Sequence, residues 1–324
     1  MHSCRPDRHL RPRARQLPLL LAALLTASLS MRAAPARSAP DTLPSAAAAG
    51  ATLDSVTIEA SRQKRELRRR VDHYVASNVV TYLQDSLVRW NKPVCPLAAG
   101  LPRNMEEFIL ERISQIARAA NVPLAGESCR ANLFIIASAY PDLLLKKWRA
   151  RNPRMYNLCN GMGGVQTFLH SRRPVRVWYN TEFGSKEAVA SSPDAAGLPF
   201  FSPFAGCAPA FSGGGSIGSR LSFSAIQSFS SVFVIVDLKQ AKSLTIGQLA
   251  DYVSLLGLAQ IDPEGDTAHV PTILTLFHDR DHPPQALSLW DRALLHSLYN
   301  TSQSNVLEVS MIERSMVSQI APAR

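Results

Sequence analysis

The sequence predicts an α/β domain on a twisted mixed sheet, and three observations point that way. Two short apolar runs, KPVCPLAAG and ANLFIIASAY, flank the amphipathic stretch NMEEFILERISQIARAANV. That order makes a parallel strand, helix, strand crossover. A further run, SVFVIVDLK, is apolar from Val232 to Val236 and reads as another strand, with three mostly helical segments after it. At 324 residues and 46% hydrophobic, the chain can bury a sizeable core.

The first fifteen residues, MHSCRPDRHLRPRAR, hold five arginines and lead into the apolar LPLLLAALLTASL, with the small-residue stretch AAPARSA beyond. This is the layout of a secretory signal peptide over residues 1–39, too short to span a bilayer comfortably, so no transmembrane segment is expected after cleavage. The competing reading is an uncleaved anchor. No cysteine follows the apolar run, which argues against a lipid anchor. Residues 1–39 carry seven arginines and one aspartate of the total +10, leaving about +4 for the remainder. So mild a charge is no argument for nucleic acid. The expected location is the periplasm or the exterior.

Residues 40–55, rich in Ala, Pro and Ser, read as a flexible leader, and the single domain is expected over 56–312. From Arg62 the pattern becomes helical, with Val71, Tyr74, Val75, Val79, Tyr82, Leu83 and Leu87 stepping by three and four as far as Trp90. Its first turns hold Arg62, Lys64, Arg65, Arg68, Arg69 and Arg70, either a solvated helix end or a contact for an anionic membrane surface or glycan. After the crossover unit, PDLLLKKWRARNPRMY reads as a short helix and turn, and RPVRVWYN as a strand. Residues 185–219 form a long Ser-, Pro- and Gly-rich loop, whose Phe200, Phe201, Phe204 and Phe211 suggest a lid or a packed insertion. Residues 313–324 read as a C-terminal tail.

Once Cys4 has left with the signal, Cys95, Cys129, Cys159 and Cys207 remain, an even count that favours two disulfides in an exported chain. Three connectivities are possible. Cys95 with Cys129 and Cys159 with Cys207 is the preferred set, because the first two border predicted strands and the last two border loops. No CxxC spacing suggests zinc or thioredoxin-type chemistry. Neither GMGG (161–164) nor SGGGS (212–216) has a strand leading in and a helix leading out, as a phosphate cradle needs, and no GxSxG elbow occurs. The densest set of possible ligands is His278, Asp279, Asp281 and His282 in FHDRDHPP, where Pro283 and Pro284 favour a loop.

The stretch TIGQLADYVSLLGLAQID (245–262) carries a T-x-x-Q capping box at Thr245 and Gln248. Leu249, Tyr252, Val253 and Leu256 lie on one face, and Gly257 is placed to stop the helix with φ > 0. Its other face carries Gly247, Ala250, Asp251 and Ser254. Written ADYVSLLGLAQ, Ala250–Gln260 resembles the metzincin metallopeptidase helix HExxHxxGxxH. Ala250, Ser254 and Gln260 stand at the three zinc-ligand positions, Asp251 at the glutamate base, and Gly257 in register. LSLWDRALLHSLYN (287–300) is similar to the closing helix of matrixins at Leu287, Ser288, Asp291, Leu295, Leu298 and Tyr299, and Ser288 and Asp291 also form a capping box. PTILTLFHD resembles the turn beneath the metal, without its methionine. The arrangement also resembles an uncharacterised secreted bacterial family, a domain of unknown function, through Trp90-Asn91-Lys92-Pro93 and Thr275–Asp279. The resemblance implies a degenerate metzincin-like fold whose cleft, lined by Ala250, Asp251, Ser254, Gly257 and Gln260, binds without catalysing. Zinc hydrolysis needs about three ligands and a base, and alanine, serine and glutamine do not supply them. No catalytic residue and no cofactor are expected. The partner would be a peptide, a cell-wall fragment or another envelope component. The alternative is a metal-dependent hydrolase with a relocated site at His278 and His282, helped by His269, Asp281 and Asp251.

Overall fold

The computed structural model describes residues 46–80, 87–152, 161–184, 226–267, 270–279, 281–303 and 307–321. The chain divides into units of residues 1–51 and 52–324, and the domain described here is the second. Four strands make one mixed sheet: β1 (Pro96–Ala99), β2 (Leu133–Ser138), β3 (Val175–Gly184) and β4 (Ile226–Asp237). Their order is β1-β2-β4-β3, with β1, β2 and β4 parallel and β3 antiparallel to β4. The expected crossover is present, its helix being α2 (Arg103–Ala120).

Alternation along the strands decides the layering, because successive side chains point to opposite faces. In β4, Val232, Val234 and Val236 join the larger core while Phe233 and Ile235 join a smaller one. Leu133, Ile135 and Ala137 of β2 divide in the same way from Phe134 and Ile136. Helices α3 (Pro141–Arg151) and α4 (Gly161–His170) cover the smaller core through Leu145, Trp148, Val165 and Phe168. The GMGG run thus opens a helix, a flank the sequence reading did not give it. On the other face lie α2, the four-residue α5 (Leu238–Ala241), α6 (Ile246–Leu258), α7 (Leu289–Asn300) and α8 (Glu308–Ile320).

Several boundaries differ from expectation. The first helix, α1 (Ala46–Asn78), begins inside the supposed flexible leader, where AAAAG is a strong helix former. It ends at Asn78, well short of Trp90. The Asn78 side chain donates to the Tyr74 and Asp266 carbonyls, and Val79 forms an antiparallel bridge with Ile261. Two β-branched residues, Val79 and Val80, follow that cap, and such residues favour extended backbone. Residues 313–320 are helix and not tail, since Ile312, Met316 and Val317 bury one face of α8. The 185–219 loop lies outside the described residues.

Cys95 and Cys129 form a disulfide across a sequence separation of 34, tying the approach to β1 to the turn before β2. A closed loop of that length stabilises by about 4 kcal/mol in the chain-entropy account. Cys159 and Cys207 lie outside the described residues. Among the described residues no helix is long and apolar enough to cross a membrane.

Gly100, at the end of β1, has φ +93°, and a Cβ there would sit 2.0 Å from the Ala137 carbonyl oxygen of β2. Gly100→Ala is expected to destabilise the domain by on the order of 3 kcal/mol, read as a lower urea midpoint at unchanged slope.

Candidate functional site

Helix α6 begins with the expected capping box, the Gln248 amide donating to Thr245 Oγ1 and the Thr245 amide to Gln248 Oε1. Every residue from Gln248 to Leu258 is buried, the pattern of a central core helix. The face expected to line a cleft is therefore covered. Ala250 and Ser254 are fully buried, and Ser254 Oγ donates back to the Ala250 carbonyl at 2.6 Å. Asp251 accepts from Arg112 of α2, Nε at 2.5 Å and Nη2 at 3.0 Å, and from the Leu287 amide at 2.7 Å. With its lone pairs so engaged, this carboxylate joins three segments and is not placed to activate water. The hydrogen bond and charge of Asp251 raise the Arg112 guanidinium above its ordinary range.

Gly257 does not stop the helix. It is a helical residue one position before the last, and Ala259, with φ −137°, is the cap. What Gly257 supplies is proximity, since a Cβ there would lie 2.9 Å from Leu133 Cδ1 of β2. Its carbonyl accepts the indole N–H of Trp90 at 2.8 Å. Tyr299 completes that corner, donating to the Leu258 carbonyl at 2.6 Å and accepting from the Trp90 amide at 3.2 Å.

Asp291 is fully buried and central to a second network. Its carboxylate accepts from Tyr74 of α1, from Thr272 Oγ1, and from the Ile273 and Ser288 amides. Burial first, and the Asp291 charge second, push the Tyr74 hydroxyl well above its usual range. The segment after Thr272 is a 3-10 turn, Ile273–Phe277, which packs on α6 through an edge-on contact of Phe277 with Tyr252 at 5.0 Å.

His278, Asp279, Asp281 and His282 follow on an exposed stretch without helix or strand, as the prolines predicted, and Asp279 Oδ1 caps the His282 amide at 2.8 Å. His269 lies outside the described residues. His278 and His282 are exposed, whereas Asp251 is interior and already bound. Among the described residues no three His, Cys, Asp or Glu side chains converge as a metal site would require.

Of the five expected cleft residues, Gln260 lines a concavity in which the other four take no part. The cavity, of about 350 Å³, straddles β3, the antiparallel edge strand. Thr167, Phe168 and Ser171 of α4 and its C-terminal turn form one wall, and Val80 with Gln260–Pro263 forms the other. Gln260 is buried, yet its Oε1 has no hydrogen-bond partner. Arg176 of β3, also buried, donates Nη1 to the Leu169 carbonyl and Nη2 to Asp142, while its Nε has no partner. Arg173 stands at the rim, 3.3 Å from Glu264. Gln260 and Arg176 thus both line the cavity, and each keeps one side-chain atom, itself withdrawn from the surface, without a partner among the described residues. Arg173 and Arg176 were missed as site residues, although an arginine between valines in RPVRVWYN is the trace they leave.

A scan of protein-family models, a search of curated proteins and a search of solved structures each returned no match.

Two substitutions test the buried charges. Asp251→Asn is expected to lower stability by about 1–3 kcal/mol in chemical denaturation, as a structural carboxylate does when it loses a charged partner. The second concerns Glu308 of α8, which is ion-paired with Arg89. Burial pushes the Glu308 carboxyl up to about 7, against the opposing pull of the Arg89 guanidinium. The folded chain then keeps a proton that the unfolded chain has lost between the ordinary carboxylate range and pH 7. Stability from this group is therefore full below that range and is lost as pH rises toward 7. Thermal melts from pH 4 to 8 are expected to show that fall, and Glu308→Gln to flatten it.

Proposed function

We propose that this chain is an exported, non-catalytic binding domain whose ligand site is the cavity beside β3. What carries the reading is the cavity itself, about 350 Å³ and lined by Gln260, Arg173 and Arg176 beside the apolar Val177, Trp178 and Tyr179. A concavity of this size with a few polar groups set among apolar walls has the usual form of a small-ligand site. A secondary amide suits such a lining, since it offers an N–H to an acceptor and a carbonyl to a donor. Peptides and N-acetylated cell-wall fragments both carry it, and the cationic Arg173 at the rim suits an accompanying carboxylate. The Cys95–Cys129 disulfide supports an oxidising compartment, consistent with export through the N-terminal signal. The engagement of Asp251 by Arg112 and Leu287 speaks against hydrolysis at α6.

Titration of the isotope-labelled protein with muropeptides, and separately with unstructured peptides of equal length, tests the reading and distinguishes the two sources. Chemical-shift changes are expected at the Gln260 side-chain amide and around Ser171, and Gln260→Leu is expected to weaken binding at least about tenfold. Stoichiometric zinc together with hydrolysis, both lost on His278→Ala and His282→Ala, would instead establish the relocated hydrolase.

A further inference from the structure

Residues 58–66 of α1 form a stretch of helix that packs on nothing among the described residues, and basic side chains crowd its C-terminal end. Every residue from Ile58 to Glu66 is exposed, and the helix meets the core from Leu67 onward, through Val71, Tyr74 and Val75. Between positions 62 and 70 it carries Arg62, Lys64, Arg65, Arg68, Arg69 and Arg70 against one acid, Glu66. Glu66 accepts from Arg69 at 2.5 Å, and Arg70 lies over the Trp290 ring at 5.2 Å. Arg62, Lys64, Arg65 and Arg68 are exposed, with no ion pair or hydrogen bond among the described residues. So dense a run of like charge opposes helix formation through i,i+3 and i,i+4 repulsion, and an opposing negative surface relieves it.

We propose that this helix docks the domain on an anionic lipid surface. Charge complementarity selects the occupant, since clusters of four to eight Lys or Arg bind acidic headgroups by summed attraction within a Debye length. Residues 58–70 span about 20 Å as a straight helix, a rod that can lie on a plane of headgroups. Arg62, Arg65 and Arg69, spaced i, i+3 and i+7, share the face opposite the core-directed Leu67, Val71 and Tyr74. That face can therefore meet a membrane while the domain stays folded behind it. A nucleic acid fits less well, because residues 58–70 contain no aromatic side chain for bases to stack on. No apolar stripe accompanies the charge, so contact is electrostatic and superficial, without insertion. The β3 cavity plays no part in this contact.

Co-sedimentation of the exported chain, residues 40–324, with vesicles tests it. Binding is expected to vesicles of phosphatidylglycerol mixed with phosphatidylcholine, not to phosphatidylcholine alone, and to be released by roughly 0.5 M salt. The variant Arg62→Glu, Lys64→Glu, Arg65→Glu, Arg68→Glu changes only exposed residues. It is expected to keep the wild-type melting temperature while its partitioning falls by roughly two orders of magnitude or more. Equal binding to neutral vesicles, undiminished binding by the variant, or tighter binding of duplex DNA than of anionic vesicles would each overturn the proposal.

Discussion

The indole N–H of Trp90 on the carbonyl of Gly257 is the bond around which the central layer is assembled. It is possible only because α6 lies close to β2, and α6 lies close because residue 257 has no side chain to hold it away from Leu133. The same corner takes the Tyr299 hydroxyl on Leu258, and beside Trp90 the buried Arg89 reaches Glu308 and the Thr301 carbonyl. Residues 89–90 thus bind the end of α6, the end of α7 and the start of α8 at one point. Each contact satisfies a polar group that would be costly to bury alone. Three helices are thereby held to a four-stranded sheet that has few strands over which to share its core.

Legibility in the sequence followed from how local each signal is. The crossover unit and β4 were readable because strand and helix periods belong to neighbouring residues, and both capping boxes sit where a three-residue spacing put them. The end of α1 was not readable. Val79, Tyr82, Leu83 and Leu87 continue a helical spacing, and what stops the helix is a bridge to Ile261, far along the chain. Gly257 misled for a related reason. A glycine near a helix end usually supplies positive φ, whereas here it supplies clearance toward Leu133, a neighbour that sequence spacing does not reveal. The Cys95–Cys129 pairing was reached because both cysteines border strands that the crossover brings together.

The candidate site moved furthest from expectation, and the cause is again tertiary. On a helical wheel Ala250, Asp251 and Ser254 form a small, polar face that looks open. In the fold α2 lies against that face, and Arg112, which the sequence gives no reason to single out, meets Asp251 across it. Small residues on a helix face therefore have two opposite readings, a cavity emptied of ligands or a seat for a closely packed neighbour. Burial separates them, and Ala250 and Ser254 at full burial are the second case.

This changes what a metal site at α6 would require. A histidine placed at residue 250 would have to displace packed core before its ring met any ligand, since large residues inserted into a dense interior force the backbone and neighbouring rotamers to shift. Asp251 would have to leave the half-buried Arg112 and the buried Leu287 amide before serving as a base, and the amide would then lack a partner. The residues that carry the resemblance to metallopeptidases, Gly257, Ser288, Asp291 and Tyr299, all have packing or capping work in this chain. They describe a scaffold, and the candidate cavity lies past the end of the helix, where Gln260 leaves it and the β3 edge begins.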